Sequence, residues 1–331
     1  MAETSKIEWT DATWNPITGC SVLTPGCTNC YAMKLAGSRM QHHASRAGLT
    51  MMTKAGPVWN GEVRFNEQWI DQPLTWKRPR MIFVCAHGDL FHEAVPDEWI
   101  DKVFAVMALA DQHIFQVLTK RSARMRAYMS CAANRIYKKS REGYPNISIS
   151  TRKTLHSRTV IGGSPVWPLP NVWLGVSAER QQEADERMPD LLATPAAVRF
   201  ASAEPLLGPL DLSNYFVWTA RSNWDAYLDW VIAGGESGPR ARPMHLNWAM
   251  SLRDQCAAAR VPFFFKQWGE WAPLGQHPGH PDWMIIGRAG DLDIPDDRWP
   301  DEATGEAAVV RVGKKSAGRL LDGVEYNGMP R

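Results

Sequence analysis

Six short apolar runs, each closing on a polar or charged residue and followed by a longer mixed stretch, limit the folds open to this 331-residue chain. The runs are MIFV (81–84), IFQVL (114–118), VWLGV (172–176), VRFA (198–201), WVIA (230–233) and VPFFF (261–265). Four or five mostly β-branched or aromatic residues without polar alternation suit a strand covered on both faces. Between the runs, 96–109, 178–192 and 247–259 have helical spacing; Trp248, Leu252 and Cys256 share one face of the last. Strands alternating with helices imply right-handed βαβ units and a parallel sheet. With a further strand near 7–14, the expectation is an α/β fold, a partial (β/α) barrel of six or seven mainly parallel strands. Length admits two domains or one barrel. The division expected here is a barrel over 1–271, with a basic insertion at about 121–170, and a C-terminal extension over 272–331.

Several classes are disfavoured. Hydrophobic residues make up 44% of the chain, enough for a full core, and sixteen Trp need faces to pack against. The first fifteen residues, MAETSKIEWTDATWN, lack the apolar stretch of a signal peptide. The longest apolar stretch, 103–110, stops at Asp111 and is too short to cross a bilayer. A cytoplasmic protein is expected, with its six Cys as reduced thiols or metal ligands and no membrane partner.

In a barrel the C-terminal strand ends face the active site. Here those ends carry Asp89, Lys120, Ser177, Glu179, Ser202, Glu204, Glu236 and Lys266. Acids, lysines and hydroxyls on one edge suit a polar, charged cofactor, although loops are polar in any case. The near-zero net charge of +2 hides polarity along the chain. Residues 120–158 hold eleven Lys/Arg against one acid, Glu142, with Tyr128, Tyr137 and Tyr144 interleaved. That segment is either a solvated insertion or a phosphate-contacting surface; Arg121, Arg124, Arg135, Lys138, Lys139 and Arg141 are its candidate contacts. The stretch 291–306, rich in Asp and Pro, reads as an exposed acidic loop.

The sharpest local feature is Cys20-Ser-Val-Leu-Thr-Pro-Gly-Cys27-Thr-Asn-Cys30. A C-x-x-C pair with a third Cys seven residues upstream can grip one metal centre. Zinc needs a fourth ligand, which His42 or His43 would supply. Three Cys without a fourth suit a [4Fe–4S] cluster with one open iron. Spacing alone leaves both open. Cys85, Cys131 and Cys256 read as ordinary thiols, and Trp268 and Trp271 as packing residues rather than base-stacking ones.

The blocks I-E-W-T-D-A-T-W-N-P-I-T-G-C, C-T-N-C-Y-A, F-V-C-A-H-G-D-L-F-H-E, F-Q-V-L-T-K-R, W-L-G-V-S-A-E, S-A-E-P-L-L-G, A-G-G-E-S-G-P-R-A-R-P-M and F-F-K-Q-W-G-E-W follow one another along 7–271. In this order they resemble a phage-associated family of three-Cys radical S-adenosylmethionine (SAM) proteins. The first gap departs from the common C-x3-C-x2-C spacing. The resemblance implies a [4Fe–4S] cluster on Cys20, Cys27 and Cys30, with SAM on the open iron.

It also implies roles at the strand ends. Asp89 is the candidate for the SAM amine, while Gly234-Gly235-Glu236 has the wording of the family's Gly-Gly-Glu element but follows a late strand. Ser177, Glu179 and Ser202 would face the ribose and methionyl carboxylate. Lys120, Glu204, Glu236 and Lys266 would act on substrate. The resemblance implies thymidine hypermodification in phage DNA, in which an amino-acid adduct on a pyrimidine is rearranged by an isomerase, with modified DNA as substrate. It further implies an electron donor such as flavodoxin or ferredoxin, and a phage-encoded protein working in the host cytoplasm. Two alternatives stand beside it: a DNA-lesion lyase similar to spore photoproduct lyase, and a zinc-stabilised nucleic-acid-binding protein without catalysis.

Overall fold

A computed structural model describes residues 5–142, 160–161, 164–216, 227–292, 300–301 and 303–330. Two compact units can be distinguished. The first is Met1–Leu23, Ala32–Val176 and Pro189–Arg199; the second is Thr24–Tyr31, Ser177–Met188 and Phe200–Arg331.

In chain order the first half runs β1 (Ala12–Trp14), β2 (Ile17–Thr18), α1 (Tyr31–Ala36), β3 (Thr50–Thr53), β4 (Gly56–Trp59) and β5 (Arg64–Phe65). It continues with α2 (Gln72–Thr75), β6 (Met81–Val84), α3 (Asp97–Leu109), β7 (Ile114–Thr119), α4 (Ser122–Met129), α5 (Ala133–Glu142), β8 (Val160–Ile161), β9 (Ser164–Pro165) and β10 (Val172–Ser177). The second half holds α6 (Gln181–Leu192), β11 (Val198–Ala203), β12 (Trp230–Gly234), α7 (Leu246–Ala259), β13 (Phe263–Gln267), β14 (Trp271–Pro273), β15 (Trp283–Ile286), β16 (Ala307–Arg311) and α8 (Lys314–Ala317).

Strands β1, β6, β7, β10, β11, β12 and β13 form one seven-stranded sheet in that order. Strand order follows chain order, so every crossover returns to the adjacent position in one direction. A doubly wound sheet would reverse at a switch point. This parallel, singly wound sheet is the topology of a partial (β/α) barrel, as the apolar runs predict. The reason is burial: every residue of β10 and β12 is out of solvent. In α3, the stretch from Val103 to Leu109 is buried throughout.

Each unit has its own aromatic centre. In the first, Trp14 donates its indole N–H to the Trp69 carbonyl at 2.7 Å, and Phe91, Phe104 and Tyr128 pack ring against ring. In the second, the Trp268 indole reaches the Leu320 carbonyl at 2.8 Å and the Trp271 indole reaches the Ala241 carbonyl at 2.7 Å. Both tryptophans are packing residues. Strands β14, β16 and β15 form a small antiparallel sheet. The stretch at 326–328 returns to β13, with Phe265 N–H donating to the Tyr326 carbonyl and Gly328 N–H to the Phe263 carbonyl. Half of the acidic stretch at 291–306, Tyr144 and the bases Arg152, Lys153 and Arg158 lie outside the described residues. No described helix is long and apolar enough to cross a membrane.

Candidate metal centre

The segment bearing the three cysteines has little regular structure of its own: one 3-10 turn, Pro25–Cys27, and then α1. What holds it is polar. Three ion pairs grip it, and each uses a strand-end acid that the sequence assigns to cofactor or substrate.

Asp89, just beyond β6, is 5% exposed. Its carboxylate accepts from the Thr119 hydroxyl at 2.7 and 2.9 Å, from Phe91 N–H at 2.9 Å, from Lys120 N–H at 3.3 Å and from Arg121 Nη1 at 3.0 Å. The acceptor capacity of this carboxylate is filled within the fold, and Asp89 positions Arg121. Arg121 in turn donates Nη2 to Ser21 Oγ at 2.7 Å and Nε to Glu93 at 2.9 Å, and places Nη1 3.7 Å from Cys20 Sγ. Burial disfavours its charge, but Asp89, Cys20 and Glu93 more than compensate and raise its pKa. Arg121 is therefore not a phosphate contact on a surface; it is 6% exposed and faces Cys20.

Glu179, past the end of β10, is fully buried. One carboxylate oxygen accepts from the Thr24 hydroxyl and from Gly26 N–H at 3.1 Å; the other pairs with Arg187 at 3.1 Å. Arg187 also donates to the Ser177 carbonyl at 2.7 Å. A methyl group on residue 26 would stand 2.4 Å from the Glu179 carboxylate, so only glycine fits there. In this structure Glu179 is a clasp on the cysteine segment.

Glu236 repeats the device. It takes both Arg242 Nη2 at 2.7 Å and Nε at 3.0 Å, the Arg242 N–H at 2.8 Å, and the Asn29 amide at 2.9 Å. Arg242 reaches on to the Pro25 carbonyl at 2.9 Å. Burial alone would raise the Glu236 pKa, but the Arg242 and Asn29 hydrogen bonds hold it below the ordinary carboxylate value. Gly234 and Gly235 have packing reasons: a Cβ would meet Glu204 at 2.8 Å and the Trp268 carbonyl at 1.8 Å respectively.

Glu204 and Lys266 remain. Lys266 Nζ lies 2.9 Å from Glu204, and Ser202 Oγ is 3.3 Å from the other carboxylate oxygen. With side chains 13% and 20% exposed, this pair is reachable from solvent. Lys120 is half-buried and gives its backbone N–H to Asp89.

The basic segment divides. Arg124 pairs with Asp97 at 3.2 Å, and Arg135 with Asp101 at 3.1 Å and Asp97 at 3.5 Å. They tie α4 and α5 to α3 and are not free phosphate contacts. Lys138 and Arg141 are exposed, Arg141 over the Tyr137 ring, and Lys139 is half-buried.

No disulfide joins the six cysteines, and Cys20, Cys27 and Cys30 are each partly exposed. Burial pushes Cys85 and Cys256 up to about 12, which keeps them inert. Among the described residues no group of three or more His, Cys, Asp or Glu side chains is placed to hold a metal ion. His43, one candidate for a fourth zinc ligand, engages Nδ1 with the Ser45 hydroxyl at 2.7 Å. The donor chemistry fits an anionic iron–sulfur centre. Each acid around the segment is neutralised by its own arginine, and Arg121 adds an N–H donor to sulfur.

Sequence reasoning missed the arginines. Arg187 and Arg242 sit eight and six residues after the acids they pair with, outside the i,i+3 and i,i+4 spacings that mark an ion pair in sequence. Neither known curated proteins nor solved structures give a match to this chain. A family model described as a protein of unknown function, DUF5131, matches residues 4–330, and the chain belongs to that family.

Proposed function

We propose that the protein is a radical SAM enzyme whose [4Fe–4S] cluster is held by Cys20, Cys27 and Cys30 and whose substrate is an amino-acid adduct on a DNA pyrimidine. The observation that carries this reading is the grip on the cysteine segment: two acid–arginine pairs with buried carboxylates bind 24–29, and Arg121 lies against Cys20. Such a loop needs to be held still only if its side chains must meet a fixed geometry. When bound, the cluster supplies an electron that cleaves SAM into methionine and a 5′-deoxyadenosyl radical able to take hydrogen from carbon.

The chain's own part is orientation. Glu204 and Lys266 present a negative and a positive group side by side, the complement of an amino acid's ammonium and carboxylate. A zwitterion entering there exchanges one ion pair for two. Both the methionyl end of SAM and an amino-acid adduct have that form. The buried strands β10 and β12 close the sheet against water beneath the polar edge.

The test is anaerobic reconstitution with iron and sulfide, followed by reduction in the presence of SAM. About four irons per chain, broad absorbance near ~400 nm and release of 5′-deoxyadenosine are expected. One zinc per chain with no bound sulfide would overturn the reading in favour of a zinc-stabilised binding protein. Product analysis on phage-type modified DNA separates isomerisation from lesion cleavage.

A further inference from the structure

The β3–β4 hairpin is anchored at its base and bare at its tip. Leu49 and Trp59 at the base are 2% and 6% exposed, and Asn60 N–H closes on the Leu49 carbonyl at 3.2 Å. Gly37, just past α1, lets Pro57 of β4 approach so closely that a Cβ would stand 2.0 Å from it. At the tip, by contrast, Met51 and Met52 are 52% and 70% exposed and residues 51–55 all face solvent. The turn is tied by Thr53, whose hydroxyl donates to the Gly56 carbonyl at 2.7 Å. A well-ordered hairpin that displays two methionines to water is unexplained by packing.

Three observations say what it meets. First, residues 31–61 contain Lys34, Arg39, Arg46 and Lys54, with His42 and His43, and no acid at all. Arg39, His42 and Lys54 are exposed. On α4 and α5, by comparison, three of the six bases, Arg124, Arg126 and Arg135, pair with Asp97, Asp190 and Asp101. Second, the hairpin leads straight to Cys20: Gly61 N–H donates to the Cys20 carbonyl at 3.2 Å, and the Glu62 carbonyl packs on Gly19. Third, methionine is a flexible apolar side chain of the kind that wedges between bases, and lysine or arginine beside it suits phosphate.

We infer that the 50–59 hairpin is a nucleic-acid element: Met51 and Met52 press against unstacked bases while Arg39 and Lys54 contact the backbone beside the cysteine segment. This deepens the nucleic-acid part of the proposed function and rests on it. The ligand is a polynucleotide with an opened or single-stranded stretch, as any enzyme acting on a base requires.

The full-length protein is titrated with a fluorescein-labelled single-stranded 20-mer, and separately with the same strand carrying 2-aminopurine. Met51→Ser/Met52→Ser is expected to weaken binding about three- to tenfold and to abolish the 2-aminopurine change, with the salt slope kept. Arg39→Glu/Lys54→Glu is expected to flatten the log–log salt slope by about 1.4, two contacts at ~0.7 each. Lys138→Glu/Arg141→Glu on α5 is the control and is expected to match the parent. If the hairpin variants bind like the parent, or the α5 control alone loses affinity, this inference is overturned and the DNA reading survives. If the parent binds neither strand, and no duplex either, the DNA reading itself falls and takes this inference with it. Hairpin variants that retain DNA binding but lose reduction by flavodoxin would show the tip to be a protein-docking surface instead.

Discussion

The backbone N–H of Gly26 and the buried carboxylate of Glu179 meet at 3.1 Å across 153 positions of sequence. A Cβ there would overlap the carboxylate. Gly26→Ala is therefore expected to push the clasp open and to lower iron retained after reconstitution, with a stability loss of about 1–3 kcal/mol. Glu179→Gln leaves Arg187 buried with no counter-charge and is expected to cost about 3–5 kcal/mol in denaturant unfolding. A Glu179→Gln protein of parental stability that had lost only SAM binding would restore the ribose-ligand role that the sequence suggests.

Arg121 is expected to tune the cluster rather than touch DNA. Its N–H lies 3.7 Å from Cys20 Sγ, and donors to ligand sulfur raise a cluster's reduction potential. Arg121→Gln is expected to lower the midpoint potential in spectroelectrochemical titration, and Arg121→Lys to lower it less. The salt dependence of DNA binding should be the same in both. A slope that flattens in Arg121→Gln would contradict this placement.

Acid is expected to destabilise the fold in two steps. Burial, with Arg46 nearby, lowers the His87 pKa from 6.5 to about 4. The unfolded chain thus takes up the proton first. The stability held by neutral His87 is complete above pH 6.5 and is lost as pH falls toward 4, on the order of 2–3 kcal/mol for a largely buried ring. Glu236, with its pKa depressed below 4.5, adds stability that persists above that value and is lost beneath it. Denaturant midpoints measured from pH 7 to pH 3 check both steps. His87→Gln should flatten the upper one, and an unchanged upper step in that variant would show that another group is responsible.

Glu204 and Lys266 are expected to matter for ligands more than for folding. With side chains 13% and 20% exposed the pair lies between a surface and a buried ion pair, so Lys266→Met is expected to lose about 1–3 kcal/mol of stability. It should keep its iron and lose about ten- to a hundredfold in affinity for its zwitterionic ligand, the loss of one charge-assisted hydrogen bond. Isothermal titration with SAM and with an amino-acid-bearing nucleotide shows which of the two occupies the pair; unchanged affinity for both would remove it from the site.

The strands were legible because fully buried strands need uninterrupted apolar runs. MIFV at 81–84 is β6 without a residue's error, and WVIA at 230–233 lacks only Gly234 of β12. At the C-terminal end, VPFFF begins two residues early, because Val261 and Pro262 precede the sheet pairing of β13. The fate of the strand-end acids was less legible. Asp89, Glu179 and Glu236 have the composition of a ligand site, but composition does not reveal which carboxylates the fold has already filled. That depends on Arg121, Arg187 and Arg242, whose reach is set by helices and turns. The eleven bases of 120–158 misled for the same reason: Arg124 and Arg135 face acids on α3, which lie outside the window that was counted.

The clasps also set a timetable. Asn29 waits for Glu236, 207 residues later, and Pro25 waits for Arg242, 217 residues later. At a ribosomal pace of ~5–20 residues per second, the thiols leave the ribosome about 10–40 s before Glu236 is made. Early in that interval the loop has nothing to close on; Arg121 and then Glu179 are made before Glu236, which completes the grip. Iron delivered early would meet three loosely held thiols. On the proposed reading, a cluster enters late, in chains that have completed β12 and the turn after it. A nascent or C-terminally truncated chain, however well its first strands fold, lacks the Glu236 and Arg242 clasp on the thiol-bearing segment.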